Sequence, residues 1–268
     1  MKIREALKKA LTELKAANIG SYGNDAIILL KTALSKDDVF ILSNPDYEME
    51  HEEVELFIKL LEKRKKRYPI AYITRRKEFY GFNFYVDERV LIPRPETESL
   101  VEEALKIIKS TNASRVVDVG TGSGNIAITL SKLANIKVFA SDISKDALTV
   151  AKLNRKTLKA DVEFIESNGI DWLGKKVDII VSNPPYVSPF DYEKLSDDVK
   201  FEPKRALISG EDGTLFIKYL LKEAKNRCNY LLIEFGYSQS EFIKQQKHLE
   251  KIVKDLSGID RVAVFRFS

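Results

Sequence analysis

The chain has 268 residues, 44% hydrophobic and 31% charged, with 44 basic against 40 acidic side chains and a net charge of +4. This is an ordinary globular balance with room for one large domain or two smaller ones, and the positive excess is too slight to indicate nucleic acid by itself. A single cysteine, Cys228, excludes an internal disulfide and a thiolate metal cluster, and with His51 and His248 the only histidines a zinc site or a histidine-dependent triad is not expected. The opening MKIREALKKA interleaves charge with apolar residues, unlike a signal peptide, and no apolar run approaches bilayer length. A cytoplasmic, metal-free protein is expected.

The first seventy-odd residues read as helical. Ile3, Ala6, Leu7, Ala10, Leu11 and Leu14 share one helical face, Ala26 to Leu34 forms a second helix, Val39 to Leu42 a short third, and Val54 to Leu61 the apolar face of a fourth. Asn44-Pro45-Asp46 is a turn. The run Lys63-Arg64-Lys65-Lys66-Arg67 is compatible with an RNA or acidic-partner contact, but a solvated helix end whose cations complement the dipole is the favoured reading. Tyr68-Pro69 breaks the helix. Alternation of Phe79, Gly81, Asn83 and Tyr85 with Tyr80, Phe82, Phe84 and Val86 then predicts a hairpin whose second arm continues through Val90-Leu91-Ile92. Pro93 and Pro95 flank Arg94 and stiffen it, and a helix begins near Glu96 with acidic residues in its first turn. Arg94 there is either part of a linker or a side chain that shapes a site.

From Arg115 the rhythm becomes strand-helix alternation. Val116 to Val119 is a strand, Gly120-Thr121-Gly122-Ser123-Gly124 a loop, and Ala127 to Leu133 a helix. Lys137 to Ala140 is a second strand closed by Ser141 and Asp142, with Ser144 capping the next helix; Glu163 to Ile165 and Ile179 to Val181 are the third and fourth strands. A helix over Thr214 to Ala224, a strand over Tyr230 to Phe235, a helix around Phe242 and a strand over Val262 to Phe267 complete a doubly wound α/β domain.

Two stretches carry chemistry. Glycines at 120, 122 and 124 between a strand and a helix let a ligand approach the backbone at a helix N-terminus. The spacing is G-x-G-x-G, not the dinucleotide G-x-G-x-x-G, and no basic residue between Gly120 and Ile128 meets a pyrophosphate. With Asp142 available to both ribose hydroxyls, this favours S-adenosylmethionine (AdoMet) over NAD; a bare tight turn is the plain alternative. The second stretch is Asp178 to Tyr186, DIIVSNPPY. Its prolines stop the strand and stiffen the chain beyond the carboxyl end, where open α/β sheets bind ligands. Asn183 offers a side-chain carbonyl, Ser182 and Pro184 backbone carbonyls, and Tyr186 a flat face: a setting for a planar –NH2 group. Read blandly, it is an Asn-Pro turn. An amide or aromatic amine is a poor nucleophile because its lone pair is delocalised. Holding its two N–H groups on Asn183 and the Pro184 carbonyl favours pyramidalisation and needs no strong base.

These residues bring a known family into view. FYGFNFYV followed by LIPRPETE, DVGTGSGNIAI, NPPY, the segment Phe201 to Gly213 and KDLSGIDRV over Lys254 to Val262 together resemble the release factor glutamine N5-methyltransferases, the HemK/PrmC family, over nearly the whole length. NPPY alone is shared with methyltransferases of nucleobase amino groups; the IPRPETE and EPxxAL segments are more specific. The resemblance implies a seven-stranded, class I, Rossmann-like methyltransferase domain over 96–268, preceded by a helical substrate-binding domain over 1–75 and a β-hairpin linker over 76–95. It implies methylation of the glutamine amide in the Gly-Gly-Gln loop of class 1 peptide chain release factors, AdoMet as cofactor, and a monomer with no direct nucleic-acid or membrane partner.

Carried over residue by residue, Gly120, Thr121, Gly122, Ser123 and Gly124 line the cofactor and Asp142 holds its ribose. Asn183 and the Pro184 carbonyl bind the acceptor amide beside Pro185 and Arg94, and Tyr186 packs against it. The adenine contact falls to Asn168 or to the displaced pair Asp171-Trp172, with Trp172 equally readable as packing over a domain edge. The competing expectations are a nucleobase amino methyltransferase, which calls for a basic aromatic groove, a noncatalytic binding protein on the same fold, and an NAD-dependent oxidoreductase.

Overall fold

The computed structural model describes residues 1–255 and 257–267. Leu256, within the Lys254 to Val262 segment, lies outside the described residues. The chain divides into two compact units, one of residues 1–75 with 197–201 and the other of 76–196 with 202–268.

The first unit contains α1 (Ile3–Ala16), α2 (Tyr22–Leu34), α3 (Asp38–Ser43), α4 (His51–Lys65) and α5 (Ile70–Thr74). Ile3, Ala6, Ala10 and Leu14 are the buried face of α1, at the spacing that the 3.6-residue period dictates, and Leu7 and Leu11 pack beside them. Leu29, Leu30, Ile41, Phe57 and Leu61 complete the core. Asp37 caps α3 by accepting from the Phe40 N–H at 2.8 Å. Pro69, which ends the preceding segment, is also the N-cap of α5, a one-turn helix that sequence reading did not anticipate.

The basic run after Leu61 departs from expectation. Arg64 is 5% exposed; its Nε donates to Asp25 Oδ2 at 2.7 Å and its Nη1 to Asp198 Oδ2 at 2.6 Å. A helix end projects side chains on all sides, and a spacing of four from Leu60 and three from Leu61 puts this one cation on the buried face.

The second unit opens with β1 (Lys77–Phe79) and β2 (Phe82–Phe84), paired antiparallel around a two-residue turn in which Tyr80 (φ 50) and Gly81 (φ 76) are both left-handed. The second arm ends at Phe84 and does not run through Val90 to Ile92. Phe79 and Phe84 turn inward against Leu100, Val101 and Ala104 of α6 (Glu98–Thr111).

The chain then forms β3 (Val116–Val119), α7 (Asn125–Ala134), β4 (Val138–Asp142), α8 (Lys145–Leu158), β5 (Val162–Glu166), β6 (Val177–Ser182), α9 (Pro189–Glu193), α10 (Leu215–Ala224), β7 (Cys228–Glu234), α11 (Ser240–Lys244), β8 (Leu249–Lys254) and β9 (Asp260–Arg266). The strands form one seven-stranded sheet in the order β5-β4-β3-β6-β7-β9-β8, in which β9 runs antiparallel to both neighbours. The residues do not announce β8: LEKIVK interleaves Glu250, Lys251 and Lys254 with apolar residues, as an edge strand paired with β9 tolerates.

The chain enters the sheet at β3, winds outward through β4 and β5, then returns to place β6 on the other side of β3. Ligands bind where the winding direction reverses. Here the register pairs Val119 with Ser182, and the Ser182 Oγ donates to the Val119 carbonyl at 2.7 Å. Two motifs about sixty residues apart in sequence thus emerge side by side.

Candidate active site

At that reversal a cavity of about 320 Å³ opens over the carboxyl ends of β3, β4, β5 and β6. Gly120 (φ 75) and Gly122 (φ 55) form its floor, and a Cβ built on either would meet nothing within 4 Å. Backbone strain, not crowding, therefore demands glycine at both, and the empty space is what a ligand would fill. The Gly120 and Thr121 N–H groups donate to the Ser141 carbonyl at 2.8 and 3.0 Å, anchoring the loop to β4.

The rest of the loop faces elsewhere. Thr121 Oγ1 donates to Asp118 Oδ2 at 2.6 Å, Ser123 Oγ to Asn125 Oδ1 at 3.2 Å, and neither lines the cavity. A Cβ on Gly124 would come within 3.0 Å of Ile128 and 3.3 Å of Ala151, so that glycine serves close packing of α7 on α8. Asp118 itself is fully buried with Oδ1 unpartnered, and burial pushes its carboxyl up to about 7.

Asp142 stands on the cavity wall. Its Oδ2 accepts from the Gly122 N–H at 2.9 Å and its Oδ1 from the Ser144 N–H at 2.8 Å. Each oxygen keeps a further acceptor site for a hydroxyl. Burial raises its pKa; the two N–H donors and the charge of Arg205 oppose that. Ser144 caps α8 as its sequence position suggests. Asn168, just beyond β5, lines the cavity, whereas Trp172 packs against Phe139 at 6.4 Å between ring centroids and does not. Asp171 points outward, accepting from the Tyr219 hydroxyl at 3.0 Å. Of the alternatives for the base contact, only Asn168 is in the cavity.

The NPPY stretch forms the opposite wall through Asn183 and Pro185. Asn183 Nδ2 donates to Thr97 Oγ1 at 3.0 Å, and its Oδ1 has no hydrogen-bond partner among the described residues. Tyr186 sits behind, half-buried, its ring so close over Gly236 that a Cβ there would come within 3.0 Å of it. Gln239 Nε2 donates to the Tyr186 carbonyl at 3.1 Å, and a Cβ on Gly213 (φ 77) would lie 2.2 Å from that oxygen. The Tyr186 hydroxyl donates to Glu234 Oε1 at 3.4 Å, and burial drives its pKa well above the usual phenol value. Pro184 is buried.

Arg94 is not in the cavity lining. Its guanidinium pairs with the buried carboxylate of Glu202, whose other oxygen accepts from the Ile92 N–H at 2.9 Å. The stiff loop around Arg94 is thus tied to the segment after NPPY. Sequence reading missed Thr97, Glu234 and Gln239. A carboxylate ending an apolar strand, at Glu234, was the available signal.

The residues fit AdoMet. Positive-φ glycines offer backbone, Asp142 and Asn168 offer polar contacts for a nucleoside, and Ile143, Ala147, Ile208 and Phe216 give flat apolar surface.

Comparison with known proteins agrees with this architecture. A family model described as PrmC N-terminal domain matches residues 5–74, and one described as methyltransferase small domain matches residues 98–218. A release factor glutamine methyltransferase of Clostridium acetobutylicum is 40% identical over 98% of each chain, and one of Koribacter versatilis is 39% identical over 99% of each. Among solved structures, the hMettl16 catalytic domain in complex with the MAT2A 3'UTR hairpin 6 superposes with a TM-score of 0.59 at 16% identity, covering 76% of this chain and 81% of that one. At that identity the likeness shows the fold alone. No helix among the described residues is long and apolar enough to cross a membrane.

Proposed function

Because the chain belongs to the release factor glutamine methyltransferase family, we propose that it transfers a methyl group from AdoMet to the side-chain amide nitrogen of the glutamine in the Gly-Gly-Gln loop of class 1 peptide chain release factors. The observation that carries this reading is the state of Asn183: its NH2 is tied to Thr97 at 3.0 Å, and its carbonyl oxygen is left as an acceptor on the wall of a glycine-floored cavity.

AdoMet, when bound, supplies an electrophilic methyl on a sulfonium. The protein's own part is positioning. Asn183 Oδ1 accepts one N–H of the acceptor amide and the Pro184 carbonyl the other. This weakens the conjugation of the nitrogen lone pair, and both acceptors favour the positive charge that develops on nitrogen. Tyr186 and Pro185 confine the amide plane. No strong base is required, and the proton leaves late, to solvent. Gly120, Gly122, Asp142 and Asn168 hold the cofactor; Thr121, Ser123 and Gly124 support the loop from behind. The helical unit over residues 1–75 contributes to binding the protein substrate.

Asp142→Ala is expected to weaken AdoMet binding by about 1.5–3 kcal/mol, the loss typical of hydrogen bonds to a charged group. Isothermal calorimetry showing unchanged affinity would remove Asp142 from the cofactor site.

The reading itself is tested by methyl transfer from labelled AdoMet to a purified release factor and to a copy whose loop glutamine is replaced. Label on the first and not the second is expected. Label on neither, with label on rRNA, tRNA or DNA, would assign the NPPY wall to a nucleobase.

A further inference from the structure

Gly236 has φ −82 and ψ 163, an ordinary extended conformation, so its backbone does not call for glycine. Space does. A Cβ there would lie 3.0 and 3.2 Å from Cδ2 and Cε2 of the Tyr186 ring and 2.7 Å from Gln239 Oε1. Gly213, from another segment, closes on the same pair: its Cβ would lie 2.2 Å from the Tyr186 carbonyl oxygen and 2.9 Å from Gln239 Nε2.

Gln239 itself is 2% exposed. Its Nε2 donates to the Tyr186 carbonyl at 3.1 Å, and its Oε1 has no hydrogen-bond partner among the described residues. A buried amide oxygen left unpaired costs free energy that a methionine of similar length would not. The one thing that glutamine supplies here and methionine does not is the N–H donor on Tyr186.

We propose that Gln239 and Gly236 are positioning residues for methyl transfer: they form a seat that fixes the Tyr186 peptide and ring, and through the stiff Pro184-Pro185 pair they fix the Pro184 carbonyl that receives the acceptor amide. The inference rests on the functional reading above. Neither residue lines the cofactor cavity.

The chain around Tyr186 explains how the seat acts. The peptide unit joining Tyr186 to Val187 is planar and turns as one body. Its N–H donates to the Leu207 carbonyl at 2.8 Å and its C=O accepts from Gln239, so the plane is pinned at both polar groups, one of them by this side chain. Pro184 and Pro185 have no N–H with which to tie themselves down, and their rings fix φ at both positions. Ahead of them, the Ser182 hydroxyl on the Val119 carbonyl at 2.7 Å holds the other end. Few soft torsions remain between these ties. A shift of Tyr186 therefore passes to the Pro184 carbonyl instead of being absorbed between them. Small misplacements of an acceptor contact lower the rate of transfer while leaving distant binding contacts as they were.

The test compares wild type, Q239M and G236A for kcat, KM for a release factor, AdoMet affinity by calorimetry, and thermal melting. Q239M keeps the length of the side chain and removes the donor; G236A keeps the donor and crowds the ring. Each is expected to lose about 10- to 100-fold in kcat, the scale of a misplaced reacting group. KM for the release factor and AdoMet affinity should stay within about twofold of wild type, since Gly120, Gly122 and Asp142 are tied to one another and to β4 without Gln239. A double variant should cost little beyond the worse single one, because both act by moving Tyr186. If one variant does not fold, the other carries the test. Wild-type kcat in either variant, or a fall in kcat matched by an equal fall in AdoMet affinity, overturns the inference. A wild-type protein that transfers no methyl to a release factor overturns the functional reading and the inference with it; an active wild type matched by Q239M overturns the inference alone.

Discussion

Asn183→Ala is expected to lower methyl transfer by about 10²- to 10³-fold, the usual cost of losing one preorganised contact to developing charge. The fold should tolerate it. The chain at this point is held by the Ser182 hydroxyl on the Val119 carbonyl at 2.7 Å and by Gln239 on the Tyr186 carbonyl at 3.1 Å, and neither contact uses the Asn183 side chain. The floor of the cofactor cavity, Gly120 and Gly122, is tied to β4 and Asp142 instead. AdoMet affinity should therefore change little while turnover falls. Single-turnover transfer beside calorimetry separates the two, and unchanged turnover would remove Asn183 from the reaction.

In the helical unit the largest effect is expected from Arg64→Ala, a loss of about 3–5 kcal/mol, as for other buried pairs broken on one side. Arg64 is 5% exposed and Asp25 1% exposed, and among the described residues the Asp25 carboxylate has only the Ser21 hydroxyl, at 2.8 Å, as a further side-chain donor. Removing the guanidinium also strips Asp198 of a 2.6 Å bond and the Tyr68 carbonyl of one at 3.2 Å. An Asp25→Asn change in the same chain removes the stranded charge and should recover part of the loss. Urea unfolding of the three proteins measures this directly. A loss below about 1 kcal/mol would mean that water screens the pair as it does at a surface.

These two residues also mark how far the sequence reaches into the structure. The place of Asn183, on the cavity wall just beyond β6, was legible because its neighbours constrain it: two prolines after an apolar strand leave few conformations, and the carboxyl ends of such strands are where cavities open. The glycine loop was legible for a similar local reason, since alternate glycines between a strand and a helix mark a backbone that must turn left-handed. Arg64 was not legible. Within Lys63 to Arg67 all five residues are cations, and only the direction of the helix face decides that Lys65 reaches Glu13 and Glu62 at the surface while Arg64 turns inward.

By itself, then, the sequence determined the strand-helix alternation, the helical N-terminal segment, the family and the two motifs that meet at the cavity, because period, turn chemistry and short-range stiffness are local properties. The resemblance implied seven strands, but the residues did not place the seventh, since β8 interleaves charge with apolar side chains and its partner β9 comes later in the chain. The tertiary structure alone decided which motif residues face the cavity: Gly120 and Gly122 do, while Thr121, Ser123 and Gly124 do not. It likewise placed Asn168 and not Trp172 in the cavity, and it committed Arg94 to Glu202. Thr97, Asn183, Tyr186 and Glu234 come from three separate segments of the chain, and they meet because β6 and β7 run parallel and bring their carboxyl ends together beside the start of α6.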